Sequence, residues 1–290
     1  MKKVLICASY FALLFAVVIA VSAYLISGDA SATVMHTLGI DTADTSAATE
    51  EAAPKTSKVS PDYVTDNPDV TEPPNTGAVT YGDGEYSYTA DEITEYFRDV
   101  VFSSELDGYV GIVCKWTREI KYRIYGELTE EDERNLSELV SYLNSVDGFP
   151  GISEAADDNE ANFHIHYTDH TSMPGLFEKY IDGSQGMVTF RWDTESHEIF
   201  TAVVAIVTED VDQDGKNTVV YEEITQGLGL AQDSYKYPES LYYQPWTTPQ
   251  GVPFIDRCMI ELLYDKQIKA GMSEADAITQ ARAIIAEWGT

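Results

Sequence analysis

Tyr221-Glu222-Glu223-Ile224-Thr225-Gln226-Gly227-Leu228-Gly229-Leu230-Ala231-Gln232-Asp233 decides how the rest of the chain is read. Its spacing is that of the H-E-x-x-H helix of zinc peptidases. There, two histidines four apart share one helix face and the glutamate between them is the general base. Here Glu222 and Gln226 stand at the histidine positions, and Glu223 keeps the glutamate position. The longer form of the motif adds a glycine three residues after the second histidine and a third ligand three beyond that. Gly229 and Gln232 fall at those places. The spacing predicts a helix with Glu223 as general base and Glu222, Gln226 and Gln232 at ligand positions, with Asp233 beside them. The donors are poor for zinc, because glutamate ligates it acceptably but a glutamine carbonyl only weakly. The competing reading is a core helix whose Gly227 and Gly229 allow close packing and a turn toward Asp233.

Upstream, Asp210-Val211-Asp212-Gln213-Asp214-Gly215 has the D-x-D-x-D-G opening of a calcium loop. The twelfth position, where a bidentate glutamate belongs, is Tyr221, and Glu222 comes one residue late. The competing reading is an acidic Asp-Gly turn leading into the helix. Before it, Ile199–Thr208 is nearly continuous apolar sequence and predicts a well-buried strand. Gly186–Trp192 and the alternating Asn162–Tyr167 predict two more strands. His164 and His166 share one face of the latter and, with His170, form a second candidate metal group; solvated strand residues are the competing reading. Ile120–Tyr125 alternates as a strand. Thr89-Ala90-Asp91-Glu92 and Thr129-Glu130-Glu131-Asp132 are helix-capping sequences, each leading an apolar stripe at helical spacing. Downstream, an aromatic loop runs from Tyr235 to Trp246, either a glycan- or peptide-binding surface or a cover over the core. Helices at Pro253–Tyr264 and from Ser273 to about Trp288 end the chain. The pattern predicts an α+β domain with a mixed sheet, the signature helix and C-terminal helices over residues 89–290.

Glu222-Glu223-Ile224-Thr225-Gln226-Gly227-Leu228-Gly229-Leu230 followed by Asp233-Ser234 resembles the E-E-x-x-Q-x-L-G-L-x-x-D-S signature of a bacterial family, the domain of unknown function numbered 2927. Tyr237–Gln244, Asp256, Leu262–Asp265 and Ala270-Gly271-Met272 extend the resemblance over about Thr89 to Ala286. That family is grouped by similarity with zincin-like metallopeptidases. The resemblance therefore implies a zincin-like fold and the position of a site more firmly than it implies a reaction.

The remainder sets the compartment. The chain has 18 basic and 49 acidic residues in 290, a formal charge of −31. With Lys and Arg scattered singly, this repels nucleic acid, which is excluded as a partner. Lys2 and Lys3 precede an apolar run to Ile26, long enough to span a bilayer. Residues 1–27 read as a retained membrane anchor with the C-terminal domain extracytoplasmic. Ala30-Ser31-Ala32 offers a cleavage site, in which case the domain is secreted. Residues 28–88, rich in Thr, Ala, Ser, Pro and acids, read as a disordered tether. Cys114 and Cys258 form either one disulfide or two separate buried thiols, the second being favoured.

Two functions are expected on these grounds. One is a membrane-anchored extracytoplasmic protein with a degenerate zincin-like metallopeptidase domain, in which a divalent metal, zinc or calcium, serves peptide hydrolysis with Glu223 as base. The alternative is a non-catalytic module on the same fold that binds a cell-envelope peptide or glycan.

Overall fold

A computed structural model describes residues 79–103 and 110–288. The chain divides into units Met1–Val70 and Thr71–Thr290, and every described residue belongs to the second. The expected anchor at 1–27 and the tether as far as residue 78 lie outside the described residues. Among the described residues no helix is long and apolar enough to cross a membrane.

Regular structure starts before the expected boundary at 89. Strands β1 (Thr80–Gly82) and β2 (Ser87–Thr89) pair antiparallel. Asp83 closes their turn, its Oδ1 accepting from the amides of Glu85 (3.2 Å) and Tyr86 (3.3 Å). Tyr88 anchors β2 in the core. Helix α1 (Ala90–Val101) comes directly after it, with the reciprocal capping box of Thr89 and Glu92.

Five strands form the main sheet: β3 (Ile120–Tyr125), β4 (Ile152–Glu154), β5 (Phe163–Thr168), β6 (Gly186–Trp192) and β7 (Ile199–Val207), in the spatial order β4-β3-β5-β7-β6. Four of them run parallel, and β6 alone pairs antiparallel, with β7. Parallel neighbours need a crossover, and α2 (Glu130–Ser145), capped by Thr129 and Asp132, supplies it between β3 and β4. The tight link from β6 to β7 is set by Asp193, whose Oδ1 accepts from the amides of Glu195 and Ser196. β6 ends the sheet, and no other strand of the described residues pairs with it.

One face of the sheet, with Phe163, Ile165, Ala202, Val204 and Ile206, packs into the main core. On the other face Met173, Met187, Ala205 and Val207 form a small second cluster. Helix α3 (Gln213–Gln226) lies against β6 and β7, and α1 packs with α4 (Phe254–Tyr264) and α5 (Glu274–Trp288). Lys115 ties the C-terminal end of α4 to the connection between α4 and α5. Its ammonium donates to the carbonyls of Leu263 and Ile268, both at 2.7 Å, where a cation suits a helix C-terminus. Burial depresses the Lys115 ammonium to about 8. Cys114 and Cys258 are free and buried, and burial pushes the Cys114 thiol up to about 11.

Candidate functional site

Helix α3 begins eight residues before the quoted stretch and ends inside it. Asp212 is its N-cap, the Oδ1 accepting from the amide of Gly215 at 2.9 Å. Only Gln213, Asp214 and Glu222 of its residues escape burial. A helix this polar is tolerable inside a protein only when its polar groups are bonded. Lys216 donates to Asp132 of α2 (2.9 Å), and the Asn135 amide donates to Asn217 (2.6 Å). The Thr218 hydroxyl donates to the carbonyl of Pro249 (3.1 Å). At the C-terminal end, the carbonyls left without helical donors accept from Trp116 Nε1 (Gly227, 3.0 Å) and the Tyr264 hydroxyl (Leu228, 2.9 Å).

The second half of the stretch is a return loop. Gly229 has φ +112°, and a Cβ there would stand 2.3 Å from the carbonyl oxygen of Cys114, so the turn admits only glycine. The reversal brings Gln232 and Asp233 back to the end of the helix. Gln226 Nε2 donates to Asp233 Oδ1 at 2.7 Å, and Gln232 Nε2 donates to the Asp233 carbonyl at 3.2 Å.

Glu222, Glu223, Gln226, Gln232 and Asp233 all line one cavity of about 650 Å³. The residues picked out by spacing are thus gathered at one place, with Glu223 7% and Gln226 5% exposed. The opposite wall is β6. Five consecutive residues of it, Gly186 to Phe190, line the space. Successive side chains of a strand point to opposite faces. A cavity on one face would meet alternate residues, so this one runs along the unpaired edge. Glu223 reaches that edge closely: a Cβ on Gly186 would stand 2.4 Å from Glu223 Oε1 and 2.5 Å from a methyl of Val219. At the rim, Trp246 is 59% exposed, and its indole lies over Gly215 in the first turn of α3.

The ligand-position residues do not fit zinc. A carboxylate only accepts, so the contact with Asp233 turns the amide nitrogen of Gln226 toward it, and Gln232 is likewise engaged with Asp233. One carboxylate and two amides, whose carbonyl oxygens are weak ligands, make a poor zinc donor set. Among the described residues no three His, Cys, Asp or Glu side chains are grouped to hold a metal ion. The calcium candidates Asp210, Asp212 and Asp214 stand at the entry to α3. The chain turns helical at Gln213, before a twelve-residue loop can form, and Asp212 is engaged as the helix cap.

The three histidines lie away from the cavity. Tyr125 stacks on His166 at 4.5 Å, and its hydroxyl is 3.1 Å from His164 Nδ1. Burial holds both imidazoles below their ordinary range. His170 sits in the turn begun by Asp169. The aromatic loop divides: Tyr242 is buried and Tyr237 packs on Tyr88 and Tyr96, whereas Tyr243 and Trp246 line the cavity. What the spacing missed is the second wall. Its one signal is Gly186 opening an otherwise β-rich run, since a strand glycine often marks a close approach of another group.

Residues 90–283 match the model of one family, described as Protein of unknown function (DUF2927). No curated protein matches the chain. With residues 221–233 and both walls of the cavity inside the matched range, the chain belongs to the DUF2927 family.

Proposed function

We propose that the domain binds peptides in extended form, as an added strand along the free edge of β6, on a zincin-like frame that does not need a metal. The observation that carries this reading is the run of consecutive β6 residues, Gly186 to Phe190, along the cavity wall. An unpaired edge offers a row of amides and carbonyls that only another backbone matches well. A peptide therefore suits this cleft better than a glycan. Glu222, Glu223 and Asp233 would face the side chains of the occupant, and Trp246 would cover its end. On this reading the domain works outside the cytoplasmic membrane, held by residues 1–27 or released after cleavage near Ala30-Ser31-Ala32.

A second reading, peptide hydrolysis with Glu223 as general base, is favoured by one contact, the packing of the Glu223 carboxylate against Gly186 of the edge strand. From there it would reach a water beside a bound backbone. The test is incubation of the purified chain with a library of extended peptides, tracking both binding and cleavage, with Glu223→Gln as control. Retention of peptides without cleavage is expected. Cleavage that disappears in Glu223→Gln would establish the hydrolase reading instead, and no retention of any peptide would remove both.

A further inference from the structure

We propose that the outward N–H and C=O groups of Gly186, Val188 and Phe190 hold the occupant. It is a peptide of at least five extended residues, with β-branched or aromatic side chains at the alternate positions beside Val188 and Phe190. This rests on the strand-addition reading and names the class of peptide. The register of β6 on β7 fixes which groups face outward. The Val207 amide donates to the Gln185 carbonyl at 2.8 Å, so Gln185 and Val207 form a hydrogen-bonded rung. Rungs of an antiparallel pair alternate between bonded and non-bonded. Counting from Gln185, Met187 opposite Ala205 and Thr189 opposite Val203 are bonded rungs, and those of Gly186, Val188 and Phe190 are not. The Ala202 amide, opposite Phe190, has the same phase: it turns away from β6 and donates to the Asn162 carbonyl at 3.0 Å. The backbone groups of Gly186, Val188 and Phe190 therefore point away from β7. Among the described residues no strand or loop backbone bonds to them.

The opposite edge of the sheet is closed. Asn144 of α2 donates from Nδ2 to the Ile152 carbonyl of β4 and accepts from the Ile152 amide, both at 2.9 Å. A side-chain amide thus stands where a further strand would pair, one way of protecting an edge. On β6 the residues that turn their backbone outward also face the helical side of the sheet. Gly186, Val188 and Phe190 lie opposite Ile206, Val204 and Ala202 of the main core, and residues opposite one another share a face. A strand added here sets every second side chain beside them, on the side of α3. At Gly186 that side chain meets Glu223, which fills the place of the missing Cβ. At Val188 and Phe190 it meets half-buried apolar residues, continued by Trp192 against Phe190. The cross-strand partners that suit β-branched and aromatic residues are themselves β-branched or aromatic.

The test uses the full chain in neutral detergent and an uncharged, labelled heptapeptide with valine at its second, fourth and sixth positions and serine between them. Without charge, it gains nothing from the formal charge of −31. It is expected to bind at least about tenfold more tightly than the all-serine heptapeptide. Val188→Pro removes an outward N–H and none that bonds to β7, the kind of position at which an edge strand tolerates proline. Binding should fall at least about tenfold further in Val188→Pro than in Val188→Ala, the effect of one hydrogen bond, with the two variants melting at similar temperatures. If Val188→Pro does not fold, the parent protein decides, with peptides N-methylated on the valines alone or on the serines alone. Loss of binding confined to one set supports the assignment, and equal loss or none overturns it. Equal binding by the proline and alanine variants would overturn the assignment of these backbone groups. Equal affinity for the valine and serine peptides would overturn the apolar class and leave strand addition standing. Full binding of a peptide methylated at every amide, or no binding of any peptide, would remove strand addition and this inference together.

Discussion

Gly186 and Gln226 are the residues at which small changes speak most directly about the cleft. A methyl group at 186 would overlap Glu223 Oε1 and Val219, so either β6 or the glutamate must shift. Gly186→Ala is expected to cost about 1–3 kcal/mol of stability, the usual range for overpacking. It should also weaken peptide binding more than that loss alone predicts. Chemical denaturation and peptide titration on the same variant check both. Gln226→Glu keeps the shape but sets a second carboxylate 2.7 Å from Asp233 Oδ1. Two carboxylates that close cannot both ionise, so one must take up a proton. A carboxyl group whose pKa is raised by folding contributes stability that is present at low pH and lost as pH rises. Thermal melts should therefore place Gln226→Glu nearer the parent protein at pH 5 than at pH 8.

At the scale of elements, α3 is the informative case, because it is buried nearly all round while carrying Lys216, Asn217, Thr218, Glu223 and Gln226. Its anchor to α2 is the ion pair of Lys216 with Asp132, 2.8 Å apart, with side-chain exposures of 11% and 2%. Asp132 also accepts from Gln213 and from the Thr129 amide. Those partners together hold its carboxyl below the usual range against the opposing effect of desolvation, the largest single influence on it. Removing one member of a buried pair leaves the other charge uncompensated, at about 3–5 kcal/mol. Lys216→Met should therefore be strongly destabilising by urea denaturation. Lys216→Met combined with Asp132→Leu should recover part of the loss. A single variant as stable as the parent would mean that the pair does not hold α3 in place.

For the whole molecule, the aromatic loop is tied to the helices through Asp256, which is fully buried on α4. Its Oδ1 accepts from the Ser240 hydroxyl (2.6 Å) and its Oδ2 from the Leu241 amide (2.7 Å), and Ser240 in turn meets the Tyr96 hydroxyl on α1. Glu239 adds negative charge nearby, itself bonded by the Tyr88 hydroxyl. Desolvation is the largest influence and, against both hydrogen bonds, raises the carboxyl from 3.8 to about 7. Between those values the folded protein holds a proton that the unfolded chain releases. Stability from this group is thus complete below about 4 and falls as pH rises toward 7, by at most about 1.4 kcal/mol per pH unit. Asp256→Asn can still accept from Leu241 and can donate to Ser240. Its stability should be flatter across that window than the parent's. Parallel slopes for the two proteins in pH-dependent denaturation would contradict this.

How much of this was legible in the chain depends on the range of the signal. The capping sequences at Thr89 and Thr129, the alternation of β3 and β5 and the apolar run of β7 are local, and each became the element its pattern predicted. The grouping of Glu222, Glu223, Gln226 and Gln232 was equally local, since one helix end and one glycine turn suffice to bring them together. Asp210–Gly215 was ambiguous because an aspartate that opens a cation loop also caps a helix. The hairpin of β1 and β2 escaped notice because only three residues of each strand pair. By itself the sequence determined the longer elements and one wall of the cleft. Only the tertiary structure decided the other wall. That wall depends on the register that sets Gly186 opposite Ile206 and leaves β6 at the edge of the sheet, and register is a long-range choice that no spacing within one segment encodes.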